Sequence, residues 1–227
     1  MNPKSVIIDF DNTIGYFDQL IYIINIIEKV NSHPIMEFEL FIILDQYPNI
    51  FRPLIREIFD IILYNKINSN IHLFVLYTCN NNETFVRHIT RYLQKKLNKH
   101  NIFDYTIHEK TKTKNIHSII QETKVNIDEN VLCFIDDKVF DYENEVNVKY
   151  IKCESYVYNY DIKDIIYMFP YKYFSKIDAN LLKKYFYVIN KKKNKKMSIL
   201  PLKAYELNSQ HILYILRSFL NTSHHIH

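Results

Sequence analysis

The sequence predicts an α/β protein with a mostly parallel central sheet. Short apolar runs alternate with amphipathic stretches of helical period, a pattern typical of βαβ units. Hydrophobic residues make up 48% of the 227 residues and charged residues 24%, so the chain can bury a sizeable core and is not expected to be disordered. The predicted strands are residues 4–10, 71–77, 103–108, 131–135 and 148–153.

Helices are predicted between and after these strands. Asn80, followed three residues later by Glu83, resembles a capping box, which predicts the start of one of them. Three helices separate the first two strands, and two helical stretches follow Pro170, where the alternating pattern ends. The predicted helices are residues 17–30, 37–46, 52–64, 114–123, 162–168, 178–190 and 203–220, together with the helix that Asn80 opens, whose apolar face extends from Phe85 to Leu97.

The predicted domain organisation is one catalytic domain with an extension. We expect residues 1–168 to form the domain, with residues 16–50 as a small helical cap insert. Residues 169–227 are expected to form a basic, largely helical C-terminal extension, in which five lysines lie between Lys191 and Lys196. All candidate site residues precede the extension, so we expect removal of residues 191–227 to leave the site intact.

Polar side chains follow three of the predicted strands. Asp9 and Asp11 follow the first strand, Thr78 the second, and Asp136 and Asp137 the fourth. Ligands of parallel sheets bind at the carboxyl ends of the strands, so these side chains predict a site there. Gly15, the one glycine of the chain, follows the first pair, where its backbone freedom permits a positive φ or a close approach.

The paired carboxylates suggest phosphoryl transfer. Asp9 is placed to attack a phosphate monoester as an oxygen nucleophile, forming an aspartyl-phosphate. Asp11 is placed to protonate the leaving oxygen and then to activate water. Several carboxylates and a phosphate repel one another, so a cation is required. Ligands that are all oxygen favour Mg²⁺, with Asp9, the Asp11 carbonyl and Asp137 as ligands. Asp136 is expected to orient a lysine or a metal-bound water, although the two adjacent acids can exchange roles.

The motifs and their order resemble the haloacid dehalogenase-like (HAD) superfamily. Residues 9–13 read DFDNT, which is similar to its first motif, and Thr78, a lysine and the Asp136-Asp137 pair are similar to the other three. Within the superfamily, residues 4–168 are most similar to the small phosphatases of the RNA polymerase II tail, through Arg52-Pro53 and the segment 134–137. The resemblance implies a Rossmann-like HAD core and Mg²⁺-dependent protein Ser/Thr phosphatase activity.

The resemblance also implies the residues that bind the phosphoryl group. They are Thr13, Thr78, Cys79 beside it, and a lysine that is either Lys112 or Lys114. Lys114 is favoured because apolar residues follow it at the spacing of the family. A cysteine phosphatase would place an arginine six residues after Cys79, and that position is a phenylalanine.

Several alternatives stay open at this stage. The small insert predicts an open site and therefore a phosphorylated protein or peptide as substrate, but a small molecule or a nucleic-acid end is the second candidate. The lysine run from Lys191 to Lys196 would then contact the phosphate backbone. A non-catalytic binding protein with the same fold is a third possibility. Three cysteines without a CxxC pair predict reduced thiols and an intracellular protein. The sequence suggests no membrane segment, and a homodimer stays open.

Overall fold

A computed structural model describes residues 2–111, 113–126, 128–139, 147–192 and 200–221. The strands pair in parallel throughout, in one sheet of order β3-β2-β1-β4-β5. This is the strand order of Rossmann-like α/β folds, so the predicted fold class is confirmed. The strands are β1 (Lys4–Ile8), β2 (Leu73–Thr78), β3 (Tyr105–His108), β4 (Val131–Asp136) and β5 (Val148–Lys152).

Eight α-helices lie in the described part of the chain. Most of their bounds differ from the predicted ones by one to three residues, because helix ends fray and the apolar period does not locate them to the residue. The helices are α1 (Asp18–Asn31), α2 (Glu37–Gln46), α3 (Ile55–Ile67), α4 (Glu83–Leu97), α5 (Ile116–Thr123), α6 (Ile162–Met168), α7 (Ala179–Lys192) and α8 (Leu202–Asn221).

The chain divides into two compact units, each formed from separate segments. The first consists of Met1–Gly15, Arg52–Tyr156 and Pro201–His227, and the second of Tyr16–Phe51 and Val157–Leu200. The first unit contains the whole sheet with α3, α4, α5 and α8, and the second contains α1, α2, α6 and α7. The sequence-based boundary after residue 168 differs from this division, because both units include residues from either side of it.

The central strands of the sheet in the first unit are buried on both faces. All six residues of β4 are buried, as expected for a central parallel strand. On one face, side chains of the central strands pack against α5 and the segment before β4. This cluster contains Ile7, Val75, Tyr77, Ile107, Ile116, Ile119, Val125, Leu132 and Phe134. On the other face, Phe59 of α3 packs edge to face against Phe74 of β2, with ring centroids 5.7 Å apart.

Helix α8 belongs to the first unit, which corrects the expectation for the C-terminal extension. It packs against α3 and β5 and buries seven of its residues, among them Tyr205, Leu216 and Phe219. The buried Lys4 ammonium of β1 donates to the carbonyls of Phe219 and Leu220, at 2.7 and 3.0 Å. Removal of residues 191–227 would expose these partners, so we now expect that truncation to destabilise the sheet unit.

The second unit is held by polar contacts between its two chain segments. Gln19 of α1 makes two hydrogen bonds with the backbone of Tyr160, donating at 2.9 Å and accepting at 2.7 Å. The Tyr47 hydroxyl donates to the Ile165 carbonyl of α6 at 2.7 Å. The predicted insert of residues 16–50 is thus joined by residues 157–200.

In the described ranges of the whole chain, no helix combines the length and the hydropathy that crossing a membrane requires.

Candidate active site

The loop after β1 places Asp9 and Asp11 at the carboxyl edge of the sheet. Asp9 follows the last residue of β1, and its backbone N–H donates to the Ile135 carbonyl of β4 at 3.0 Å. Within the loop, the Thr13 hydroxyl donates to Asp9 Oδ2 at 2.9 Å. The residue with positive φ is Asn12, at 61°, and not Gly15 as the sequence suggested. Asparagine tolerates this region, and the turn closes through the Asn12 N–H donating to Gly15 O at 2.8 Å.

Lys114 joins the ends of β1 and β4. Its ammonium donates to Asp9 Oδ1 at 2.5 Å and to Asp136 Oδ2 at 2.6 Å, and its side chain is 3% exposed. Burial alone would lower the pKa of Lys114, but the charges of Asp9 and Asp136 outweigh it and raise the pKa. The lysine is therefore a fixed positive charge at the switch point of the sheet, where α/β folds bind ligands. The alternative, Lys112, lies outside the described residues.

Three carboxylates converge beside this lysine. Carboxylate oxygens of Asp9, Asp136 and Asp137 lie within 4.8 Å of one another. Burial, followed by the charge of Asp9, raises the pKa of Asp136 to about 7 and also raises that of Asp137. One ammonium does not offset three clustered negative charges, so the cluster fits a divalent cation bound through oxygen. Acidic residues also occur together without an ion, but Asp9 and Asp136 are buried, Asp137 is partly buried, and all three lie at strand ends.

Asp136 and Asp137 differ in what already contacts their oxygens. Asp136 Oδ2 accepts from Lys114, and its Oδ1 accepts from the backbone N–H of Lys138 at 2.8 Å. Asp137 accepts a hydrogen bond from the Ser155 side chain, and its own N–H donates to Thr13 at 3.2 Å. The arrangement favours Asp136 as the residue that orients Lys114, and Asp9 with Asp137 as the cation ligands.

Asp11 is oriented by Asn80, a residue that sequence reasoning assigned to another role. The Asn80 amide nitrogen lies 3.2 Å from both carboxylate oxygens of Asp11. The cap of α4 is instead Asn82, whose side chain accepts from the Phe85 N–H at 3.0 Å. The capping-box assignment of Asn80 was therefore wrong. Sequence spacing alone could not separate the two asparagines, since both precede the helix within one turn.

Thr78 is the last residue of β2, and Cys79 follows it at the same edge of the sheet. Thr78 is fully buried, and its hydroxyl accepts from the Asn80 N–H at 3.0 Å, which turns the chain after the strand. Cys79 is half-buried, and burial raises the pKa of its thiol despite the opposing charge of Lys114. A thiol with a raised pKa is a weak nucleophile, and the residue six positions on is the buried Phe85 in place of an arginine, so a cysteine phosphatase is disfavoured.

Arg52 anchors the loop of residues 11–15 to the rest of the sheet unit. It is 2% exposed, and its guanidinium donates to the carbonyls of Thr13 at 2.6 Å, Asn12 at 2.9 Å and Glu154 at 2.5 Å. A fourth hydrogen bond reaches Asn208 Oδ1 of α8 at 3.0 Å. Sequence reasoning noted Arg52 only as part of a signature. Helix α3 begins at Ile55, later than predicted, because Leu54 before it has a left-handed backbone conformation with φ 59°.

Glu109 anchors the segment that carries Lys114. Its carboxylate accepts from the hydroxyls of Tyr77 at 2.7 Å and Ser118 at 2.8 Å, while the Asn115 N–H donates to the Tyr77 hydroxyl at 2.7 Å. The Lys114 ammonium lies 5.5 Å from the centre of the Tyr77 ring. Burial would raise the pKa of Glu109, but hydrogen bonds from Tyr77, Ser118 and Thr111 outweigh it and lower the pKa to about 2.

Glu109→Gln should remove a part of the stability that depends on pH. A carboxyl pKa below its unfolded value stabilises the fold above about pH 4.5, and this contribution disappears as pH falls towards 2. Because Glu109 is partly exposed, we expect the variant to lose roughly 1–2 kcal/mol of unfolding free energy at pH 7. Urea unfolding at several pH values measures this. The exposed Glu57→Gln serves as the control, and an equal loss at pH 7 and pH 3 would contradict the assignment.

Comparisons with known proteins add a distant structural likeness. No protein-family model matches the chain, and no curated protein matches it. Among solved structures, the chain is similar to "The Structure of Fcp1, an essential RNA polymerase II CTD phosphatase", with 15% sequence identity and a TM-score of 0.45. The match covers 96% of this chain, which spans 62% of the length of that one. A likeness this distant carries no inference about activity.

Proposed function

We propose that the chain is a Mg²⁺-dependent phosphomonoester hydrolase of the HAD type, in which Asp9 accepts the phosphoryl group. One observation carries the proposal: the buried Lys114 ammonium bridges Asp9 and Asp136 inside a cluster of three carboxylates at the strand ends. A structural role alone would not require three clustered carboxylates, two of them buried, around one lysine, because a buried carboxylate is costly to desolvate. Groups with strongly perturbed ionisation tend to cluster at reactive sites.

Two proton-balanced steps follow from the positions of the side chains. An Asp9 oxygen forms a bond to phosphorus while the ester P–O bond breaks, and Asp11 gives its proton to the departing oxygen. Water then attacks the phosphorus of the aspartyl-phosphate, Asp11 takes a proton from it, and Asp9 is released with inorganic phosphate. Thr13 and Lys114 hold Asp9 in place, and the Lys114 charge offsets negative charge on the phosphoryl oxygens.

The residues present fit Mg²⁺. Asp9 and Asp137 would hold the ion, and all donor atoms are oxygens, the ligand type that Mg²⁺ prefers. When bound, the ion supplies charge neutralisation between the carboxylates and the phosphate. Lys114 alone does not neutralise the cluster, because its single positive charge is already paired with Asp9 and Asp136.

The catalytic side chains suit several phosphomonoesters equally. A phosphoserine or phosphothreonine of a protein, the substrate that the sequence motifs favour, requires the same nucleophile, acid and cation as a nucleic-acid end. The choice between them depends on the surface beside the site. A non-catalytic binding role is disfavoured, since Asp9, Asp11 and Lys114 are all present and each is positioned by hydrogen bonds within the site.

Chelation should abolish turnover of a generic aryl phosphate. We expect EDTA to reduce the rate by at least about a hundredfold, because a catalytic cation supplies several kcal/mol. Mg²⁺ should restore the rate, whereas Ca²⁺ should restore it poorly because its coordination is larger and less strictly octahedral. Release of phosphate measures the effect, and recovery with Mg²⁺ controls for irreversible damage. Unchanged turnover in EDTA would contradict the role of the carboxylate cluster.

A further inference from the structure

We propose that a basic groove between α4 and β3 binds the phosphate backbone of a single-stranded nucleic acid and leads its terminal phosphate to Asp9. The inference rests on the proposed phosphatase function and names its substrate class. The groove lies in the first unit and has a volume of about 370 Å³. Its lining includes Arg87 and Arg91 of α4 and His108 at the end of β3.

The exposed face of α4 concentrates positive charge. Residues 83–100 contain five basic side chains and one acid, a net charge of +4 with histidines neutral, which equals the net charge of the whole chain. Arg87, Arg91 and Lys95 are exposed and follow one another at intervals of four residues, so they lie on one face, about 6 Å apart along the helix axis. The opposite face is apolar and buried, which fixes the orientation of the basic face.

The groove begins next to the catalytic loop. Asn80 contacts Asp11 through its side chain, and its backbone carbonyl lies 3.1 Å from His108 Nδ1. Phe10, between the two catalytic aspartates, packs against Phe85 in the first turn of α4, with ring centroids 6.3 Å apart. Asn80 therefore lies between Asp11 and His108, a residue that lines the groove. The arginines lie farther along α4. A chain bound along them would have its end near Asp9.

The chemistry of the lining favours a nucleic-acid backbone over a peptide. None of the eight described residues that line the groove is apolar, whereas peptide recognition commonly uses apolar pockets for side chains. Besides the arginines, the lining contains Thr90, Thr106 and Gln94. Arginine, threonine, asparagine and glutamine are the side chains that contact phosphate and sugar in nucleic-acid complexes. Glu83, at the start of α4, is the one acid among the described lining residues.

Binding can be measured separately from catalysis. The probe is a fluorescein-labelled oligothymidylate without a terminal phosphate, titrated in EDTA and followed by anisotropy at several salt concentrations. The double variant Arg87→Gln/Arg91→Gln should bind on the order of tenfold more weakly. Log affinity should also decrease less steeply with log salt, with the magnitude of the slope smaller by about 1.4. Arg87→Lys/Arg91→Lys should retain most of the affinity because it keeps the charges.

A matched control and a second assay complete the test. Arg56→Gln removes an exposed arginine of α3, and it should leave the binding of oligothymidylate unchanged. In turnover assays the double Gln variant should lose activity on terminally phosphorylated oligothymidylate but keep that on aryl phosphate. The proposal would be overturned if the double Gln variant bound oligothymidylate with unaltered affinity, or if Arg56→Gln lost as much affinity. It would also be overturned if the double variant lost activity only on phosphopeptides. Binding that depends on the arginines in a protein inactive on every phosphate would instead overturn the phosphatase function alone.

Discussion

Asp9→Asn is expected to abolish aryl phosphate turnover while the fold survives. The amide is too weak a nucleophile to form the phosphoryl intermediate, so we expect a loss on the order of 10⁴-fold or more. The fold should persist because Lys114 keeps its hydrogen bond to Asp136, and one of three clustered negative charges is removed. Phosphate release and near-UV circular dichroism measure the two effects.

The matched control for this loss is Asp128→Asn, an exposed aspartate in the loop before β4. It should leave turnover unchanged. A folded Asp9→Asn protein with turnover near that of the unaltered chain would contradict the assignment of the nucleophile. A loss of near-UV signal would instead show that the Lys114–Asp9 pair is required for folding, and phosphate release from the remaining folded fraction would then decide the chemistry.

Arg52→Met is expected to have the largest effect on stability. Methionine is apolar and donates none of the hydrogen bonds of Arg52. The carbonyls of Asn12, Thr13 and Glu154, the Asn208 side chain and the Cys153 sulfur therefore lose a donor. Each buried polar group left without a partner costs about 1–3 kcal/mol, and part of this is recovered by relaxation. We expect the unfolding free energy to fall by roughly 3–5 kcal/mol, as measured by urea denaturation.

Arg56→Met on α3 is the control for Arg52→Met. Arg56 is exposed and lies 3.9 Å from Asp60 in a long ion pair, so its replacement should change stability by less than about 0.5 kcal/mol. A similar small change for Arg52→Met would show that water replaces the guanidinium in the fold. In that case Arg52 would not be what holds Asn12 and Thr13 in position.

The strands were predictable from sequence because buried parallel strands are continuous apolar runs. Residues 131–135 have no alternation, and the structure buries the whole of β4. The polar residues that end β1 and β4 were predictable for the same reason, since an aspartate directly after such a run must lie at the edge of the sheet. The spacing that favoured Lys114 also agrees with its position between Asp9 and Asp136.

Long-range contacts were not predictable from local patterns. Helix α8 is amphipathic, which predicts a buried face, but nothing in its sequence indicates that this face packs on α3 and β5. Asn208, within that helix, accepts from Arg52 across 156 positions of sequence. Asn80 was assigned to a helix cap because capping is a local rule, whereas its contact with Asp11 depends on the order of strands in the sheet.

The most direct test of phosphoryl transfer to Asp9 is mass spectrometry of peptides from protein quenched in acid during turnover of an aryl phosphate. The Asp11→Asn variant is suited to it, because an aryl leaving group needs little protonation while the attack of water still requires the base. We predict a phosphoryl group on the peptide that contains Asp9, and none in the Asp9→Asn protein. Turnover without phosphorylated Asp9, or with the phosphoryl group on the peptide that contains Cys79, would contradict the proposed chemistry.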